Sequence, residues 1–418
     1  MQLGVSKISI TPSKKIRLAG YANRLEPFID VIHDIYTVVY YFRTSNEDKV
    51  IIYGDLLWWG SDFIDTMNKR INQRFNLSYE DIVFTASHNH SGPGTSENFT
   101  KLLEEVDSEY LRELQEKVLT AINESKKNMQ EVNLKKAEYC LDINVYRRVD
   151  IDNEIKMMPN LEVEVDKTVT LLKFVNQEDE PVGFIVHYPC HANVANINYV
   201  NGDYPGVLMK LLDNHYNTTS MFLQGCTGDI RPKIIVGNEF FSGDIERVEQ
   251  FANQFYDSII IQEEELKYED LELDELTIKK HMLNLDINPY LNDQELEKEL
   301  TSEDELKRQW SKAIINKKNR NYETLVITEI CFGKELTLLG YNGEMSGEYS
   351  RFAKKITDKD VLSIGYTNGM IGYIPTSIQL NEGGYEPEGS TWYFALSGQL
   401  ECKNEEKIKV EIRKILED

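Results

Sequence analysis

Two hydrophobic periods run through the first half of the chain. Residues 36–42 (Tyr-Thr-Val-Val-Tyr-Tyr-Phe) and 50–53 (Val-Ile-Ile-Tyr) are β-branched and aromatic, as buried strands are. Phe63, Ile64, Met67, Ile71 and Phe75 then recur at helical spacing behind Ser61, a residue suited to cap a helix. Residues 81–87 read as a short buried strand, and the polar, glycine-bearing run 88–94 follows it directly. A helix is predicted over 108–127, a strand pair over 171–174 and 182–187, and a short strand over 221–223 that ends in the glycine-rich turn 224–228. Strand character returns at 325–332 and 336–341.

Between these halves the pattern changes. Residues 245–318 are strongly charged, with three glutamates at 263–265 and a Glu/Asp/Lys-rich run at 293–307. Such runs read as solvated helix faces. No internal repeat and no Pro- or Ser-rich linker divides the chain. The prediction is therefore one α/β domain over 1–418, with a mixed core flanked by helices and a charged helical insertion around 245–318.

Charge narrows the classes of partner. Against 46 Lys and Arg stand 70 Asp and Glu, a net charge of -24 over 418 residues. Such a surface repels nucleic-acid phosphates and anionic lipid. No stretch approaches the roughly 18–20 apolar residues of a membrane helix. The first residues lack a basic, then apolar, leader pattern. Five widely spaced cysteines (140, 190, 226, 331, 402) read as reduced thiols. A cytoplasmic enzyme acting on a small-molecule or peptide-like substrate, with no nucleic acid and no membrane insertion, is the expectation.

The chemistry concentrates in seven histidines, four of which form two close pairs at predicted strand ends. His88 and His90 are two residues apart, so in extended backbone both face one side. The Ser-Gly-Pro-Gly that follows permits a tight turn. His-x-His reads equally as a metal-binding or a hydrogen-bonded structural pair. In the second pair, Pro189 breaks the strand and puts His191 just beyond it, whereas His187 continues the apolar strand and reads as a core histidine. Cys190 reads as a small buried thiol. Glu344, among glycines after a strand, is a further ligand candidate; the spacing alone does not single out Tyr373.

These segments together resemble the neutral/alkaline non-lysosomal ceramidase N-terminal domain family. The resemblance runs in order through 8–12 (Ile-Ser-Ile-Thr-Pro), 18–22 (Leu-Ala-Gly-Tyr-Ala), 32–34, 87–94 (Ser-His-Asn-His-Ser-Gly-Pro-Gly), 146–148 (Tyr-Arg-Arg) and 190–191. It continues through 201–206, 224–229 (Gln-Gly-Cys-Thr-Gly-Asp), 343–344, 372–376 (Gly-Tyr-Ile-Pro-Thr) and 384–386. It implies a mixed α/β core of two β-sheets flanked by helices, and a zinc-dependent hydrolase of amide bonds with one Zn2+ per chain. The zinc ligands implied are His88, His191, Glu344 and Tyr373. His90, Arg147 and Tyr385 match catalytic groups near the substrate carbonyl, and Gly20 matches a backbone position lining the pocket.

One departure stands out. Where the family carries a serine nucleophile after the Gly-Asp turn, this chain has Arg231, in Gly228-Asp-Ile-Arg-Pro232. A zinc-bound water then replaces the serine as the expected attacking group. Arg231 reads as a substrate-binding residue for a carboxylate or phosphate, or as half of an ion pair with Asp229 or Asp203. The C-terminal immunoglobulin-like domain of longer members is not expected here. An amide of a small or anionic substrate is the leading reading. A zinc esterase or lactone hydrolase, a non-catalytic zinc- and ligand-binding protein, and a cysteine hydrolase using Cys226 or Cys190 are the alternatives.

Overall fold

A computed structural model describes residues 1–44, 47–263, 265–315, 317 and 320–417. Its architecture follows from three five-stranded sheets, each with a parallel strand pair at one edge. In the first sheet, Gln2–Ser9, Tyr36–Arg43 and Asp48–Gly54 pair antiparallel; Asp48–Gly54 then pairs parallel with Ile82–Ala86. A parallel pair needs a crossover, and the helix Ser61–Phe75 supplies it. In the second sheet Pro181–Tyr188 pairs parallel with Thr219–Gln224 across the helix Asp203–Tyr216. In the third, Leu336–Tyr341 pairs parallel with Asp360–Ile364 across the helix Gly347–Lys355.

Alternation along the strands feeds two apolar cores. Val39, Tyr41, Val50 and Ile52 enter one core with the helices Ser61–Phe75 and Ser108–Ser125. Val38, Tyr40, Ile51 and Tyr53 enter the other, with the second sheet. The third sheet divides in the same way: Leu339 and Tyr341 join the first core, Leu336 and Leu338 the second. Strands covered on both faces need no polar alternation, which is why Ile82–Ala86 is buried throughout.

The mixed α/β fold is the one expected, but the third five-stranded sheet exceeds the two anticipated. The region 245–318 is also not simply a charged helical insertion. The helix Ile245–Glu263 buries Val248, Phe251, Ala252, Phe255 and Ile259, and Leu276–Pro289 is a strand paired with Tyr322–Phe332. Leu276 and Ile278 face the second core, Leu285 and Ile287 the first. The intervening Lys, His, Asn and Asp residues hid this period of two. Asp293–Glu299 and Glu305–Ile315 are the helices that fit the charged-face expectation. Glu264, within the acidic run, and 316, 318 and 319, at the end of the segment, lie outside the described residues.

The parallel edges matter because ligands gather beyond the carboxyl ends of such strands. Isolated bridges join Thr85 to Thr367 and Gly225 to Ile364, so the carboxyl ends of the three sheets meet. The loops that carry His88, His90, His191, Glu344 and Tyr366 leave these ends. Among the described residues no helix is long and apolar enough to cross a membrane.

Candidate functional site

The loop after Ile82–Ala86 carries His88 and His90; the loop after Pro181–Tyr188 carries His191. Gln224 fastens the two, its amide donating to the carbonyls of Ser87 (3.2 Å) and Cys190 (2.7 Å). Asn89 donates to the carbonyls of Asp55 and Asn201 from the same loop. His88 itself has φ 62°, a conformation a non-glycine residue adopts only when its surroundings impose it. Its ring stacks on Tyr366 at 3.9 Å between centroids.

Each of the three imidazoles turns its Nδ1 to a backbone carbonyl: His88 to Leu57 (3.1 Å), His90 to Gly20 (3.3 Å), His191 to Thr227 (3.4 Å). A carbonyl only accepts, so Nδ1–H donates and Nε2 is left with a lone pair. The three Nε2 atoms converge, 2.9 Å between His88 and His191, 3.0 Å between His90 and His191, and 3.2 Å between His88 and His90. Burial first, then the charges of the neighbouring imidazoles and arginines, holds His90 and His191 well below the ordinary histidine range. Lone pairs facing each other repel unless a cation or a proton lies between them. Tetrahedral zinc at about 2.0–2.1 Å from each of two ligating nitrogens separates them by about 3.3 Å, close to the His88–His191 spacing. Backbone partners on the distal nitrogens are the arrangement that orients metal-binding histidines.

The third sheet brings acid and phenol. Glu344 Oε2 lies 3.3 Å from His88 Nε2, and its backbone pairs in register with Tyr373. Tyr366 donates its hydroxyl to Glu344 (3.4 Å). Tyr373 lies beside Arg147, whose guanidinium carbon is 5.3 Å from the ring centroid, and meets Tyr385 edge-on at 5.7 Å. Burial pushes the Tyr373 hydroxyl well above its ordinary value, against the Arg147 charge, so a neighbouring cation would be needed to ionise it. Tyr385 is 36% exposed, while Tyr373 is buried.

Arg147 is fixed from behind: its Nε donates to Glu386 (2.7 Å), and Arg148 holds the other oxygen of that carboxylate. Arg147 Nη2 remains buried with no hydrogen-bond partner among the described residues. Gly20, at φ 95°, belongs against His90, since a Cβ there would meet His90 Nδ1 at 2.6 Å.

Arg231 does not form the ion pair weighed from the sequence. Asp229 accepts from Ser346, Gly347 and Gln379, and Asp203 from the amides of Val194, Ala195 and Tyr204. Asp203 caps the loop behind His191 and, through burial, has its pKa pushed up to about 6. Cys190 and Cys226 are fully buried, and burial raises both thiols, which leaves no reactive thiolate. His187 is the core histidine expected, held to the Ser363 carbonyl (3.0 Å). Sequence reasoning missed Tyr366, Glu386 and Arg24, the last a buried arginine that donates to the carbonyls of Ala19, His90 and Ile197; all three act through contacts between separate segments.

Fold and site together define a mixed α/β protein with a buried, histidine-rich candidate metal centre. The family model for neutral/alkaline non-lysosomal ceramidase, N-terminal, matches residues 1–242, and the chain belongs to that family. It is 24% identical to the neutral ceramidase of Drosophila melanogaster, over 57% of this chain and 38% of the relative. The match thus spans well under half the relative's length. The fold superposes on the neutral ceramidase of Pseudomonas aeruginosa with a TM-score of 0.78 at 15% identity, covering 99% of this chain and 74% of the other. A solved ceramidase complexed with C2 gives 0.77 at the same identity and coverage.

Proposed function

We propose that the chain is a zinc-dependent hydrolase of an amide bond. The observation that supports this most is the convergence of three imidazole lone pairs and one carboxylate at the ends of three sheets. The relatives are neutral ceramidases by name, and ceramide is an amide. His88, His191 and Glu344, with Tyr373 as the fourth, would hold the ion. Zinc would supply Lewis acidity to a carbonyl oxygen and to water.

The chain's own groups do the rest. His90, neutral and with Nδ1–H fixed on Gly20, offers Nε2 to take a proton from water as its oxygen adds to the carbonyl carbon. Arg147 turns its unpartnered Nη2 to the oxygen on which negative charge grows, a role worth roughly 3–4 kcal/mol in favourable sites. Tyr385, partly exposed beside Tyr373, donates its phenol to the same oxygen. The proton passes on to the nitrogen, the C–N bond breaks, and a carboxylic acid and an amine form, the acid's proton then passing to the amine as the two leave as carboxylate and ammonium. A purely structural zinc site has no use for a buried arginine with one unpartnered nitrogen beside it, which favours catalysis over mere binding.

Metal analysis of purified protein should give one zinc per chain, and about none in His88→Ala. Chelation should abolish cleavage of a panel of acyl amides, and zinc should restore it. Wild-type protein without stoichiometric metal would end the proposal; faster cleavage of matched esters would move it to an esterase.

A further inference from the structure

In a chain of net charge -24, buried cations are expected to find carboxylates. Around the imidazole cluster a buried arginine and a half-buried one do not. Arg24, 6% exposed, bonds only to carbonyl oxygens, those of Ala19, His90 and Ile197. Arg231 has no carboxylate within 4 Å among the described residues. Its contacts are the Phe240 ring at 4.7 Å and the Met157 sulfur at 3.8 Å, and its Nε is buried with no partner.

Position ties Arg231 to the site. Its strand, Ile230–Pro232, pairs with Asn144–Ile151, placing Arg231 opposite Val145 and two residues from Arg147. Its charge reaches His90, His191 and Tyr373. A planar fork with an apolar ring and a thioether at its side suits a carboxylate carried on an organic body. One uncommitted guanidinium balances one negative charge, so a monoanion fits better than a phosphate dianion.

We propose that Arg231 is the anion-recognition residue of the cleft, and that the substrate is an amide bearing a carboxylate near the scissile bond, of the N-acyl amino acid class. This rests on the amide-hydrolase reading for the reaction but not for the binding.

The test is calorimetric titration of zinc-stripped and zinc-loaded protein with N-acetylglycine and N-octanoylglycine. The corresponding glycinamides and inorganic phosphate serve as controls. Wild type should bind at least one carboxylate tenfold more tightly than its neutral glycinamide. Arg231→Gln should reduce that preference to within twofold, and Arg231→Lys should keep part of it. With no ion pair to break, Arg231→Gln should fold, checked by an unchanged circular dichroism spectrum and a single cooperative unfolding transition. Equal binding of acid and amide by wild type, a preference that survives in Arg231→Gln, or tighter binding of phosphate would each overturn the proposal. Carboxylate-selective binding without turnover of any amide in the zinc-loaded protein would overturn the hydrolase reading alone.

Discussion

Arg147 and Arg231 sit on adjoining strands of one small sheet and face one cluster of imidazoles, yet their surroundings are opposite. Arg147 is 2% exposed, tied to Glu386, and set against Tyr373. Its pKa is raised well above the ordinary value, because Tyr373 and Glu386 outweigh the burial that alone would lower it. Arg231 is half-buried with no carboxylate partner among the described residues, and burial, outweighing the pull of Tyr21 and Tyr373, lowers its pKa. The first is part of the fold's own electrostatics and is aimed by it. The second is left for something the chain does not contain. A paired arginine and one with no carboxylate partner thus stand on adjoining strands beside one imidazole cluster.

The largest effect that could break this contrast falls on Glu386. It is the carboxylate shared by Arg147 and Arg148, both nearly fully buried. Glu386→Ala leaves two buried cations short of a partner, and stability should drop by about 3–5 kcal/mol in urea denaturation. A loss under about 1 kcal/mol would mean that Arg147 is not held as described. Next in size is Arg147→Met, which should lower kcat by about 10²–10³ while zinc content stays at one per chain. Loss of zinc together with activity would reassign Arg147 to holding the metal site rather than acting on the substrate.

Gly20→Ala tests whether His90 belongs to the fixed wall. The added methyl would press on His90 Nδ1 from a backbone at φ 95°. Displacing an aligned base costs about ten- to a hundredfold in rate. The fall should appear in kcat, with zinc retained. An unchanged kcat would separate His90 from the reaction.

How much of this was legible in the sequence depends on range. His88, His90 and His191 stand where an apolar strand gives way to a turn, and local pattern suffices to find them. Arg231 was conspicuous as a residue, but its lack of a partner was not, because Asp229 and Asp203 are close in sequence and turn to other donors in space. Glu386 and Tyr366 act through segments more than a hundred residues away, on Arg147 and His88, and nothing in their own neighbourhoods marks them. The strand Leu276–Pro289 was hidden differently. It serves two cores from opposite faces, so its apolar positions change parity midway and a charge count masks them.

The smallest effect is also the sharpest probe of Arg231, because it appears only in part of the pH range. Asp203, buried, ordinarily titrates near 3.8 and is raised to about 6 in the fold by burial, against the pull of three backbone amides and the Arg231 charge. A folded pKa above the unfolded one means that the folded state binds the extra proton. The stability this proton contributes is full below about pH 4 and is lost as pH rises through 6. Taking away the Arg231 charge moves that pKa further up, so Arg231→Gln should match wild type at pH 4 and fall behind by roughly 1 kcal/mol by pH 8. Cys190, Tyr204 and Tyr21, ionisable groups beside Asp203, are all raised by burial and stay neutral throughout, so they do not blur the difference. Urea titrations of the two proteins from pH 4 to 8 measure it. Parallel curves would show that Arg231 is screened from the interior and points to solvent, and the distinction between the two arginines would reduce to one of exposure.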